Sequence, residues 1–232
     1  PPGDSIIYAG QEFEYKILTP GYKDFSAFEL ELSYNKNNLI LQDVIVDSRL
    51  VITNEVNNQD GKYILRVIGM QDTSYNANID FITLKFKVKE TVSGTTAITI
   101  DKAIVYDKGT PYEVVLNGYD VEVDYKYNLS IRGSTVSGNT IMQVVFEGNP
   151  VADVSFIVYK ENESFPFTLK TNANGIVTTD IFGKYPIDTK FRIRAIKDGF
   201  VSNEVTITIV PSLGSTTPDR IVVTVGEDAA TS

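Results

Sequence analysis

The chain has 232 residues, 42% hydrophobic and 22% charged, with a formal net charge of −9 and a pI near 4.6. That length holds two ordinary domains, each able to bury its own core, and the composition is that of globular protein. The acidity excludes nucleic-acid binding through clustered Lys and Arg. The absence of His and Cys excludes Ser-His or Cys-His nucleophile pairs, thiolate metal sites and disulfides.

The predicted elements are strands, taken in chain order. In QEFEYKI, Phe13, Tyr15 and Ile17 alternate with Glu12, Glu14 and Lys16. In FELELSY, Phe28, Leu30, Leu32 and Tyr34 face the core while Glu29, Glu31 and Ser33 face away. LILQDVIV, from Leu39 to Val46, is a more continuous apolar run and reads as a more buried strand. Asp60-Gly61 then marks a hairpin into KYILRVIG. In DFITLKFKVK, Ile82, Leu84, Phe86 and Val88 oppose Thr83, Lys85 and Lys87. Lys108-Gly109, Asn117-Gly118, Asn174-Gly175 and Asp198-Gly199 supply further turns. Turns every ten residues or so, with no sustained helical stripe, predict an all-β fold of two β-sandwiches.

A change to a Gly-, Ser- and Asn-rich phase near Asp124 to Tyr127 divides the chain into a domain at 1–125 and a smaller one at 126–211. The connection is too short for a flexible linker, so the two sandwiches are expected to touch. Residues 212–232 read as a linker and the first strand of a third domain. PSLGSTT is followed by a β-branched run in which Ile221, Val223 and Val225 alternate with Val222 and Thr224. The PPGDS start reads as a trimmed or mature end, and no apolar stretch reaches the roughly 20 residues of a membrane span.

Residues 5–124 resemble a cohesin module. The resemblance rests on GQEFEYKI, FSAFELELSYNKNNLILQDV, GKYILRVIGM, ITLKFKVK and ITIDKAIVYDKGTPYEVVLNGYDVEV, in that order. It implies a jelly-roll sandwich that docks a dockerin-like protein in an extracellular, cell-surface setting. The family's Tyr-Asp-Pro is here Tyr34-Asn35-Lys36, and its dockerin-reading positions fall on Ala27, Glu29, Met70 and Asp72. These replacements put a conventional dockerin partner in question. The second domain resembles the Ig-like or prealbumin-like sandwiches of bacterial surface proteins, through GNPVADVSFIVYK, TNANGIVTTDIFGKYP and FRIRAIKDGFVSNEVTITIV. Such modules serve as spacers; Gln143 stands where an isopeptide staple would need Lys, so none is expected. The tail, with Asp228, Thr231 and Ser232, resembles the opening strand of the fibronectin type III-like domain of purple acid phosphatases. That resemblance implies a metallophosphoesterase whose metal ligands all lie beyond Ser232.

The expected binding surface is a sheet face carrying Glu29, Glu31, Tyr63, Leu65 and Val67, with a protein or a polysaccharide as partner. Tyr63, Tyr75, Tyr106 and Tyr112 are the candidate sugar-stacking rings, without Trp to support them. Asp101 with Asp107, and Asp120 with Glu122 and Asp124, lack calcium-loop spacing and read as solvated strand faces. Glu29 and Glu31, ~7 Å apart on one strand face, match a glycosidase spacing, but no cleft is implied. The expectation is a monomeric, non-catalytic recognition and spacer region of a secreted protein, without cofactor or metal.

Overall fold

The computed structural model describes residues 6–18, 25–57, 60–69 and 80–212. Met70, Asp72, Tyr75 and the tail from 213 onward lie outside the described residues. No α-helix occurs among those described.

The N-terminal sandwich is built from β1 (Ile7–Tyr8), β2 (Glu12–Leu18), β3 (Phe25–Tyr34), β4 (Leu39–Val46), β5 (Leu50–Asn57), β6 (Lys62–Gly69), β7 (Asp80–Val88), β8 (Gly94–Asp107), β9 (Thr110–Glu113) and β10 (Tyr119–Asp124). One sheet has the order β1-β10-β8-β3-β6-β5, with β9 on β8; the other is β2-β7-β4. The two sheets bury their facing side chains against each other. Leu30, Leu32, Tyr63, Leu65, Leu84, Phe86 and Val88 are wholly inaccessible. Phe81 receives the edges of Phe25 and Phe28 at centroid distances of 5.1 and 5.5 Å, and Phe86 packs against Tyr34 and Phe13 at 5.3 and 5.7 Å.

The alternation read from β2, β3 and β7 matches these burials. β4 does not follow the expectation of a buried strand. Leu39 is buried, but Ile40 and Ile45 are 43% and 46% exposed. The strand is the edge of the three-stranded sheet, and a bulge between Leu41 and Asp43 shifts its register. An edge strand covers less core than its hydrophobic content suggests.

The second sandwich comprises β11 (Asn128–Arg132), β12 (Thr140–Phe146), β13 (Asn149–Pro150), β14 (Ser155–Lys160), β15 (Glu163–Phe165), β16 (Ile176–Thr179), β17 (Lys190–Lys197), β18 (Phe200–Val201) and β19 (Val205–Thr208). One sheet runs β11-β12-β13 with β16 on β12, and the other β15-β14-β17-β18 with β19 on β17. A separate core of Met142, Val144, Phe182, Phe191, Ile193 and Ala195 fills the space between them. The buried Thr171 hydroxyl is paired: its Oγ1 accepts the Val154 N–H at 2.9 Å and donates to the Val151 carbonyl at 2.7 Å.

The sandwiches touch. Tyr8 sets its ring edge-on to Phe146 at 6.0 Å, and the Arg194 guanidinium lies 6.0 Å from the Tyr125 ring. A groove of about 670 Å³ opens between Tyr8, Tyr127 and Phe146.

Gly61 closes the β5–β6 hairpin at φ +79°, and a Cβ there would run into the carbonyl oxygen of Tyr34, whose N–H donates to the Gly61 oxygen at 2.8 Å. Gly61→Ala is expected to lower the stability of the first sandwich by about 2 kcal/mol, from left-handed strain plus that overlap. Urea unfolding followed by tyrosine fluorescence measures it; a loss below about 0.5 kcal/mol would contradict the steric account.

Candidate functional site

β3 is the central strand of the large sheet, paired to β6 on one side and β8 on the other. Its inward residues Phe28, Leu30 and Leu32 are core, so Ala27, Glu29 and Glu31 project from the outer face. Register then fixes their neighbours. Ala27, Glu29 and Glu31 stand opposite Ile68, Arg66 and Ile64 of β6, and opposite Tyr106, Ile104 and Lys102 of β8. On β5, Val51, Asn54 and Val56 align with Ile68, Arg66 and Ile64. A continuous outer surface across β8, β3, β6 and β5 results.

This register corrects the expectation that Glu29, Glu31, Tyr63, Leu65 and Val67 share one face. Glu29 and Glu31 do share the outer face. Tyr63, Leu65 and Val67 turn inward, where Tyr63 and Leu65 have no exposed surface and Val67 has 1%. The Tyr63 hydroxyl donates to Glu55 at 3.0 Å, and burial pushes its ionisation far above the ordinary tyrosine range. The outer-face residues missed from sequence are Ile64, Arg66, Ile68 and Lys102. Alternation within KYILRVIG already separates Tyr63, Leu65 and Val67 from Ile64, Arg66 and Ile68.

Glu29 is the centre of this face. It is 5% exposed, accepts a hydrogen bond from Arg66 Nε and another from Lys102 Nζ at 3.1 Å, and Lys102 also lies 3.9 Å from Glu31. Burial works to raise the Glu29 carboxyl, but the hydrogen bonds and charges of Lys102 and Arg66 outweigh it and hold the group below the usual carboxylate range. Beside it lies a notch of about 380 Å³ lined by Ala27, Thr53, Arg66, Ile68, Lys102 and Tyr106. Ile68 and Val51 are 44% and 43% exposed. An apolar margin thus surrounds a satisfied ion cluster, an arrangement suited to a binding surface and not to bond chemistry.

The other candidate groups do not converge. Asp120, Glu122 and Asp124 alternate along exposed positions of β10, and among the described residues no three Asp or Glu stand close enough to share a metal ion. Tyr63 is core, and Tyr106 and Tyr112 lie on opposite sides of the β8–β9 ribbon, since Tyr112 pairs with Val105 and Tyr106 with Pro111. Those rings make no common stacking platform.

Compared with known families, residues 3–123 match the cohesin domain, just over half of the chain. The chain belongs to the cohesin family. Cohesin domains are non-catalytic modules that dock dockerins, and they occur in extracellular or cell-surface scaffolds. Among solved structures, the chain is similar to a cohesin module from a Clostridium perfringens family 33 glycoside hydrolase, at 17% identity over 52% of this chain and 90% of that one, TM-score 0.43. It is also similar to a type I cohesin–dockerin complex from Clostridium thermocellum (15% identity, 50% of this chain and 86% of that one, TM-score 0.42). A non-cellulosomal cohesin from the hyperthermophilic archaeon Archaeoglobus fulgidus is similar at 18% identity, over 50% of this chain and 82% of that one, TM-score 0.41. No curated protein sequence matches the chain. Among the described residues, no helix of this cohesin-family chain is long and apolar enough to cross a membrane.

A carboxyl whose folded pKa lies below its unfolded value stabilises the fold above the unfolded value, and that contribution is lost as pH falls through the folded one. Glu29 is such a group, as is Asp47, held low by hydrogen bonds from Arg49 at 2.7 and 3.0 Å that outweigh its burial. Calorimetry should therefore show a melting temperature that is level above about pH 5 and falls below about pH 4. Glu29→Gln should make that fall shallower and should cost about 1–3 kcal/mol at neutral pH, because Arg66 and Lys102 lose the negative charge and one of the two oxygens they share.

Proposed function

We propose that residues 1–125 dock a protein partner through the outer face of β8, β3, β6 and β5, and that residues 126–211 form an Ig-like or prealbumin-like spacer holding that face in position. The observation that carries the reading is the surface itself. Exposed Val51 and Ile68, with half-buried Ile64 and Ile104, border the Glu29–Arg66–Lys102 cluster on one sheet face. On the opposite sheet, Glu12 and Glu14 face Lys87 and Lys85 across the strands, and the exposed Ile40 and Ile45 stand on the edge strand β4.

The partner is a dockerin or a module that presents a similar surface. Ala27 and Glu29 stand at positions where the family reads dockerin, so recognition runs through altered side chains. The chain supports no catalysis of its own and belongs to a secreted, multimodular protein. A metallophosphoesterase following residue 232 is a separate proposal resting on the tail.

Isothermal titration against a panel of dockerin modules tests docking. Ile68→Asp and Val51→Asp should each weaken binding at least about tenfold, through burial of an unpaired charge, with the melting temperature unchanged. Binding that survives both substitutions would place the partner elsewhere on the molecule and reject this face.

A further inference from the structure

The sheet face offers its partner an uneven set of polar groups. Its buried carboxylate, Glu29, already accepts one donor on each oxygen, Arg66 Nε and Lys102 Nζ. Lys102 is further divided between Glu29 and Glu31. Arg66 is different: its side chain is half exposed, one nitrogen serves Glu29, and the two terminal nitrogens have no protein acceptor among the described residues. Thr53 has spent its hydroxyl proton on the Arg66 carbonyl at 3.2 Å. The notch of about 380 Å³ therefore presents guanidinium and ammonium donors over a wall of Ala27, Ile68 and the Tyr106 ring.

We propose that this notch receives an acidic side chain of the docked partner, a carboxylate on an apolar stem between apolar neighbours. The proposal rests on the docking reading and adds the chemistry of the contact. A guanidinium whose terminal Nη1/Nη2 edge is free matches a carboxylate in a way that it matches no other protein side chain. A basic partner residue would meet Arg66 and Lys102 first and would gain little from Glu29, which is 5% exposed and already shared by two cations. An apolar residue would fill the wall and leave the guanidinium edge covered and unpaired, at a cost. The methylene stem of Glu or Asp answers both halves of the notch at once.

The test uses three blocked pentapeptides, acetyl-Ala-Leu-X-Leu-Ala-amide with X as Glu, Gln or Lys, titrated into the full 232-residue chain and followed by NMR. Saturable shifts at Ala27, Thr53, Ile68 and Tyr106 are expected with the Glu peptide, with affinity about tenfold above the Gln and Lys peptides. Arg66→Gln should abolish that preference, and Arg66→Lys should restore part of it. Equal shifts from the Glu, Gln and Lys peptides on the unaltered chain overturn the inference, a result that needs no variant to fold. The two readings fail separately. If dockerin binding is lost in Ile68→Asp while the three peptides bind alike, docking stands and the acidic contact falls. If the Glu peptide is selected but no protein partner responds to Ile68→Asp, docking through this face falls while the notch's preference for a carboxylate holds.

Discussion

The structure depends on the registration of β3 between β6 and β8. Because successive side chains on a strand point to opposite sides, one alignment sends Phe28, Leu30 and Leu32 into the core and leaves Glu29 and Glu31 outside. A slip of a single residue would bury two carboxylates and expose three large apolar groups. Cross-strand neighbours enforce the choice, since Glu29 finds Arg66 on one side and the Lys102 ammonium reaches it from the other. The same alignment that builds the core therefore assembles the outer face, so the surface proposed for docking is rigid to the extent that the core is.

Much of the fold was legible because alternation in a single strand is a local signal. FELELSY and ITLKFKVK each report their buried side unaided, and Lys108-Gly109 and Asp198-Gly199 adopt the paired positive φ angles that a tight hairpin demands. The face was harder to read, for a definite reason. Which residues of two strands share a side depends on pairing, and Glu29 meets Arg66 across 37 positions and Lys102 across 73. Grouping Glu29 with Tyr63, Leu65 and Val67 joined the outer side of one strand to the inner side of its neighbour. β4 failed differently: hydrophobic content predicts burial only where both sides of a strand are covered, and an edge position removes one flank.

The second sandwich contributes through the junction. Tyr8 against Phe146 and Tyr125 beneath Arg194 engage both modules beside the connection. Each such contact is worth about 1 kcal/mol, and their value lies in acting together on a short connection that has little freedom to lose. In the proposed role of spacer, a sandwich joined in this way would set the direction in which the sheet face points as well as its distance.

One further consequence follows from β1. This strand lies parallel to β10, with Ile7 beside Val123 and Tyr8 beside Asp124, so the first strand of the cohesin module closes on its last. The contact spans nearly the whole module, and loop closure over such a length must be met before the pairing gives anything back. During synthesis, the N-terminal segment waits on the ribosome without its partner until β10 has emerged. Cohesin folding is thus tied to completion of the module: a chain arrested before residue 119 keeps the sheet edge of β8 uncovered and open to pairing with other chains.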